Sequence, residues 1–112
     1  MKLERDYQAH LKKRIKEILP GCIVLKTDPN QFQGFPDLLI LYENRWGALE
    51  VKRTTKAHRQ PNQEYYVKKL NKMSFACFVS PENEEEVLDE IQRALRPNRS
   101  TRVSRSKSAQ LA

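Results

Sequence analysis

Residues 34–52 read Gly34-Phe35-Pro36-Asp37-Leu38-Leu39-Ile40-Leu41-Tyr42-Glu43-Asn44-Arg45-Trp46-Gly47-Ala48-Leu49-Glu50-Val51-Lys52. Two short apolar runs flank a polar pivot at Glu43-Asn44-Arg45, the pattern of a β-hairpin, although Asn-Arg is a poorer turn pair than Asn-Gly. Strand side chains alternate with period two, so Glu50 and Lys52 project from one face while Val51 points to the other. With Asn44-Arg45 as the loop, Glu43 pairs with Trp46, Leu39 faces Glu50 and Asp37 faces Lys52. With Glu43-Asn44 as the loop, Asp37 faces Glu50. Either register gathers Asp37, Glu50 and Lys52 on one face, since opposed Cβ atoms lie about 4.5–5.5 Å apart and diagonal ones about 7–8 Å. A one-residue change in the pairing sum would scatter them.

Taken singly, Pro36-Asp37 is an ordinary turn entering a strand, and Glu-x-Lys is common on solvated strands. Together they put two carboxylates and a lysine on an otherwise apolar hairpin, where like charges repel unless something compensates them. A divalent cation does so: hard ions such as Mg²⁺ take carboxylates, waters and phosphate oxygens, and Lys52 would stand beside that water or phosphate.

Gly34-Phe35-Pro36-Asp37 followed by Glu50-Val51-Lys52 resembles the PD-(D/E)xK nuclease signature, and specifically the VRR-NUC family, whose members carry a Gly-x-Pro-Asp turn, a Glu-x-Lys strand and then a helix bearing a Gln. Gln63, in Asn62-Gln63-Glu64-Tyr65-Tyr66, is similar to that Gln, and Glu4 and Gln8 resemble the Glu and Gln of the family's first helix. The resemblance runs from about Glu4 to Leu95. It implies an α/β, restriction-endonuclease-like core and metal-dependent hydrolysis of DNA phosphodiesters, with Asp37, Glu50, Lys52 and Gln63 as catalytic residues. One or two Mg²⁺ ions, replaceable by Mn²⁺, would be held by Asp37, Glu50, the backbone carbonyl of Val51 and Glu4. Lys52 would orient or deprotonate the attacking water, or stabilise the pentacovalent phosphate. Short stand-alone members resemble phage proteins that act as homodimers on branched or nicked DNA such as a Holliday junction, which would place this chain in the host cytoplasm.

At 112 residues the chain is expected to form one domain, residues 1–95, followed by a tail, residues 96–112. Hydrophobic content of 38% against 31% charged residues fits a folded, soluble protein rather than a disordered one. No apolar stretch approaches a membrane span and the N-terminus lacks a signal-peptide core, so a cytoplasmic protein with no membrane partner is expected. Cys22 and Cys77 lie in apolar runs and read as small buried hydrophobes without zinc-site spacing. The net charge of +7 is uneven: residues 1–95 balance at +2, and the tail, with Arg96, Arg99, Arg102, Arg105 and Lys107 and no acid, carries +5. Such a tail suits salt-sensitive attraction to phosphates, and equally a disordered, solubilising end.

Along the chain, Leu3, Tyr7, Leu11, Ile15, Ile18 and Leu19 recur at helical steps until Pro20-Gly21. A short strand follows over residues 22–26, then a polar loop that delivers Gly34 and Pro36 before Asp37, where a small residue would let a phosphate backbone approach. After the hairpin, Arg53, Lys56 and Arg59 lie in a loop without apolar periodicity and are candidates, with Gly34, for contacting DNA. Pro61 suits the first position of a helix reaching Lys72 or Met73, Phe75 to Val79 reads as a doubly covered strand parallel to residues 49–52, and a final helix starts near Asn83. Glu84, Glu85 and Glu86 in its first turn read as compensation of the helix dipole rather than as metal ligands. The expected order is α-β-β-β-α-β-α with a mixed sheet. Exposed aromatics such as Phe32, Trp46 and Tyr65, the first helix and the loop 27–33 are candidate homodimer surface. Two rival readings are an inactive nucleic-acid-binding module on the same fold and an interaction protein that works through its basic tail.

Overall fold

The structure, a computed structural model, describes residues 4–96. Leu3 and the basic tail from residue 97 onward lie outside the described residues. The elements are α1 (Glu4–Ile18), β1 (Ile23–Lys26), β2 (Leu38–Tyr42), β3 (Arg45–Val51), α2 (Pro61–Met73), β4 (Phe75–Val79) and α3 (Glu84–Leu95). The strands form one sheet in the order β1-β2-β3-β4, antiparallel across the first three and parallel between β3 and β4. No helix among the described residues is long and apolar enough to cross a membrane.

Side-chain alternation sorts the sheet into two unequal faces. On one, Leu38, Ile40, Leu49, Val51 and Val79 meet Leu11 and Ile15 of α1 and Val87, Leu88, Ile91 and Leu95 of α3. Truncating a fully buried Leu49 or Ile91 to alanine would cost about 2–5 kcal/mol, so this face carries most of the fold. The other face is smaller: Ala48 and Ala76 meet Val67 and Leu70 of α2, with Phe35, Leu39, Trp46, Tyr66 and Phe78 around them. Because α2 packs on β3 and β4, the β1 side of this face stays open and leaves Ile23 and Leu25 exposed.

The hairpin takes the second of the two registers: Tyr42 pairs with Arg45 and Leu38 with Leu49, so the loop is Glu43-Asn44 and not Asn44-Arg45. Glu43 adopts φ 55°, the left-handed geometry that a two-residue turn needs at its first position to match strand twist. The pairing of Asp37 with Lys52 is thereby excluded, and continuing the ladder by one residue sets Asp37 across from Glu50.

Helices α1 and α3 are also joined by charge. Glu84 is buried and accepts hydrogen bonds from Arg14 at 2.6 Å and His10 at 3.2 Å, while Arg14 also pairs with Glu85. Burial alone would raise the Glu84 carboxyl, but its partners, Arg14 foremost, outweigh that and hold it below its ordinary range. Beside it the Tyr7 hydroxyl is buried without completing a hydrogen bond, and burial next to Glu84 pushes its phenol up. Dipole compensation therefore understates Glu84, which ties the two helices together. Arg96, grouped with the tail by charge alone, donates to the Ile18 carbonyl at 3.0 Å and closes the far end of the same pair.

Gly34 has a structural task in seating α2. Its φ is 87°, and a Cβ there would lie 2.3 Å from the Cβ of Asn62 and 3.1 Å from the Asn62 carbonyl carbon. The missing side chain thus admits the first turn of α2. Gly21 shares the positive φ, 89°, but has nothing within 4 Å of the site of a Cβ. Gly34→Ala should therefore cost about 2–4 kcal/mol, from left-handed strain plus overpacking, and Gly21→Ala about 1–2 kcal/mol from strain alone. Urea denaturation of the two variants measures this difference; equal losses would show that α2 is not seated on Gly34.

Candidate active site

Three chain segments converge where β2 begins and β3 ends. Asp37 is fixed first through its main chain: the Thr27 amide donates to the Asp37 carbonyl at 2.8 Å, and the Thr27 hydroxyl donates to the Pro36 carbonyl at 2.7 Å. Its carboxylate then accepts a hydrogen bond from the Val51 amide at 2.8 Å, across from the last residue of β3. A short polar side chain at the mouth of the hairpin takes the donor that a longer β2 would have satisfied with its backbone.

Glu50 lies on the same face and is 3% exposed. Its carboxylate accepts from the Gln63 amide at 3.0 Å. Gln63 is the joint of the site: its side-chain oxygen also accepts from the Lys52 ammonium at 2.8 Å and from the Gln60 amide at 3.0 Å. Lys52 donates in addition to the His58 carbonyl at 3.1 Å, which leaves its ammonium 4.0 Å from Glu50. The position of Gln63, one turn before Val67 on α2, follows from Pro61 starting that helix.

The electrostatics of the pair are lopsided. Burial pushes the Glu50 carboxyl up to about 8, the facing Asp37 charge adds to the rise, and Lys52 opposes both. At 4 Å, unit charges attract by about 4 kcal/mol near a protein surface, so the gross pull of Lys52 is substantial and still loses. Burial and the Asp37 charge thus both favour the protonated form of Glu50.

Glu4 sits at the start of α1, on the site's side, and its charge adds a smaller upward push on Glu50. One turn on, Gln8 is buried and accepts from Lys26 at 3.4 Å. No group of three His, Cys, Asp or Glu side chains among the described residues is gathered as a metal cluster, so Glu4 does not complete one with Asp37 and Glu50. Arg53, Lys56 and Arg59 are exposed on the loop between β3 and α2. That loop is pinned by the Glu82 carboxylate, which accepts from the Thr55 amide at 3.0 Å, and Arg59 lies 3.8 Å over the ring of Phe78. The roles of the His58 carbonyl and of Glu82 carry no signal in the sequence, because both depend on how the loop folds back. Trp46 packs into the cluster under α2 and is half-buried, whereas Phe32 and Tyr65 are exposed. Cys22 and Cys77 are free and half-buried, away from these groups, and burial pushes the Cys77 thiol up to about 11.

A solved structure described as a VRR_NUC domain is similar to this chain at 25% sequence identity and a TM-score of 0.63. No family model and no curated protein matches the sequence. The structural likeness covers 77% of this chain and 94% of that one, so nearly the whole of that domain has a counterpart here, and the chain carries the VRR-NUC family fold.

Proposed function

We propose that the protein is a metal-dependent endonuclease that hydrolyses DNA phosphodiester bonds, with a preference for branched, nicked or flapped DNA. The observation that carries this reading is the confrontation of Asp37 with a buried Glu50 whose carboxyl is pushed up to about 8, beside a lysine tethered by Gln63. Two hard oxygen donors under mutual repulsion, with one backbone carbonyl at Val51 next to them, fit a divalent cation better than they fit any role in packing. The likeness to a VRR_NUC domain supports a nuclease-type function.

Asp37, Glu50 and the Val51 carbonyl are the groups that would hold Mg²⁺, or Mn²⁺ in its place, with Glu4 as an outer contributor. When bound, such an ion supplies Lewis-acid polarisation and charge neutralisation at phosphate oxygens. Asp37 keeps its orientation through the Val51 amide, and Gln63 holds Glu50 and Lys52 at a set separation. Lys52 then presents an ammonium to the phosphate or to the attacking water without having to reorganise. Arg53, Lys56 and Arg59 supply positive charge for the neighbouring phosphates, Arg59 with its guanidinium already placed by Phe78.

A homodimer is part of the proposal. β1 is an edge strand, and Ile23 and Leu25 are 55% and 45% exposed on the open part of its sheet face. Exposed edges of this kind invite pairing, and a twofold axis would supply two sites for two strands.

Three outcomes are expected. Asp37→Asn, Glu50→Gln and Lys52→Ala should each lower cleavage of supercoiled or four-way-junction DNA by at least about 100-fold in Mg²⁺, while DNA affinity in EDTA changes little. A Lys52→Ala protein cutting at near wild-type rate would remove lysine from the mechanism. For stability, Glu50 has a folded value raised from 4.5 to about 8, so the metal-free fold binds an extra proton between these pH values and loses stability as pH rises through them. Metal-free Glu50→Gln should therefore melt above the wild type at pH 8.5 and lose that advantage at pH 5, and Mg²⁺ should raise the wild-type Tm alone. Light scattering should give a dimeric mass that Leu25→Lys halves; a monomeric mass at every concentration, with both strands still cut, would exclude the stable dimer.

A further inference from the structure

Between the loop before Asp37 and the first turn of α2 lies a wide, open depression of about 380 Å³ lined by Gln33, Pro61, Asn62, Tyr65 and Tyr66. Its lining neighbours the site along the chain: Gln33 precedes Asp37 by four residues, and Asn62 adjoins Gln63. The close approach of Gly34 to Asn62 sets the spacing between those two segments.

The chemistry of the lining is specific. Tyr66 is half-buried in the cluster under α2, edge-on to Phe32 at 4.9 Å and to Tyr65 at 5.0 Å, so the aromatic wall is braced from behind. Tyr65 is nevertheless 57% exposed and Phe32 49% exposed, an expensive display of ring surface beside a polar site. Gln33 and Asn62 are exposed too, and each amide offers both donors and acceptors. Lys69 stands 6.0 Å over the Tyr65 ring, on the solvent side. Aromatic faces for stacking, amides for an in-plane hydrogen-bonding edge and a cation for an attached phosphate together match one ligand class.

Resting on the nuclease reading, we propose that this cavity holds one unpaired nucleobase of the substrate, stacked on Tyr65 and bonded at its edge by Gln33 and Asn62. A base inside an intact duplex keeps both faces stacked and is not available to it. The cavity thus selects DNA with an unstacked nucleotide next to the scissile phosphate, as at a flap, bubble or junction, and it names a source for the structure preference that the catalytic residues cannot supply.

The test uses the full chain in EDTA, where nothing is cut, and a duplex carrying a single-stranded flap with 2-aminopurine at its first unpaired position. Wild-type protein should quench the 2-aminopurine on binding. Tyr65→Ala should lose the quenching and bind the flap about 10- to 100-fold more weakly, with affinity for fully paired duplex unchanged, and Tyr65→Trp should restore both. Replacing the flap base by an abasic site should weaken wild-type binding by the same factor and leave Tyr65→Ala unaffected. Wild-type quenching and affinity in Tyr65→Ala, or an abasic flap bound as tightly as the intact one, would overturn the proposal. So would a change of mass in Tyr65→Ala without a change in quenching, which would make the tyrosine a contact between protein copies. Cleavage in Mg²⁺ is scored separately on the flapped duplex: its absence in the wild type sinks the nuclease reading, whereas wild-type cutting of that duplex without quenching of the 2-aminopurine sinks only the base site.

Discussion

Asp37 and Glu50 face each other across the end of an antiparallel ladder, and neither can turn away: one accepts from the Val51 amide, the other from Gln63. This enforced proximity is unfavourable for the fold by itself, because burial and the neighbouring charge both resist ionisation of Glu50. Much of the local architecture serves to keep the pair in place. Thr27 clamps the backbone of Pro36 and Asp37, the turn at Glu43 sets the register, and Gly34 lets α2 come close enough for Gln63 to reach Glu50.

The strain is offset elsewhere in the molecule. The larger apolar cluster lies on the opposite face of the sheet, under α1 and α3, where the charged contacts of Glu84 with Arg14 and His10 and of Arg96 with Ile18 brace the two helices. Stability and chemistry are thereby segregated by strand alternation. Odd and even positions of β3 do different work: Leu49 and Val51 anchor the core while Ala48, Glu50 and Lys52 face α2. The cover over the chemical face is thin, four buried residues with partly buried aromatics around them, and it leaves the cavity at Tyr65 and the β1 margin open.

Much of this was legible in the residues. Element order followed from periodicity and from Pro20-Gly21 and Pro61, since these act over a few residues. The convergence of Asp37, Glu50 and Lys52 was legible because both acceptable turns conserve the face; the choice between them was not, because a left-handed Glu43 is unfavourable locally and is selected by the sheet. Gly34 was visible as a special position, but its partner Asn62 lies far along the chain, and only the packed α2 reveals what the missing Cβ accommodates. Glu84 was obscured by its neighbours Glu85 and Glu86: three acids at a helix start have a sufficient explanation in the dipole, and the buried one differs only through Arg14 on a distant helix.

The central claim is that Asp37 and Glu50 are a cation site held ready at the cost of a protonated Glu50. Calorimetric titration of the metal-free protein with Mn²⁺ at pH 7, repeated in buffers of different ionisation enthalpy, tests it directly. The account predicts saturable binding that releases about one proton, because the ion must displace the proton held by Glu50, and loss of that release in Glu50→Gln. Absence of binding, or binding with no proton released and no effect of the Glu50→Gln substitution, would contradict it.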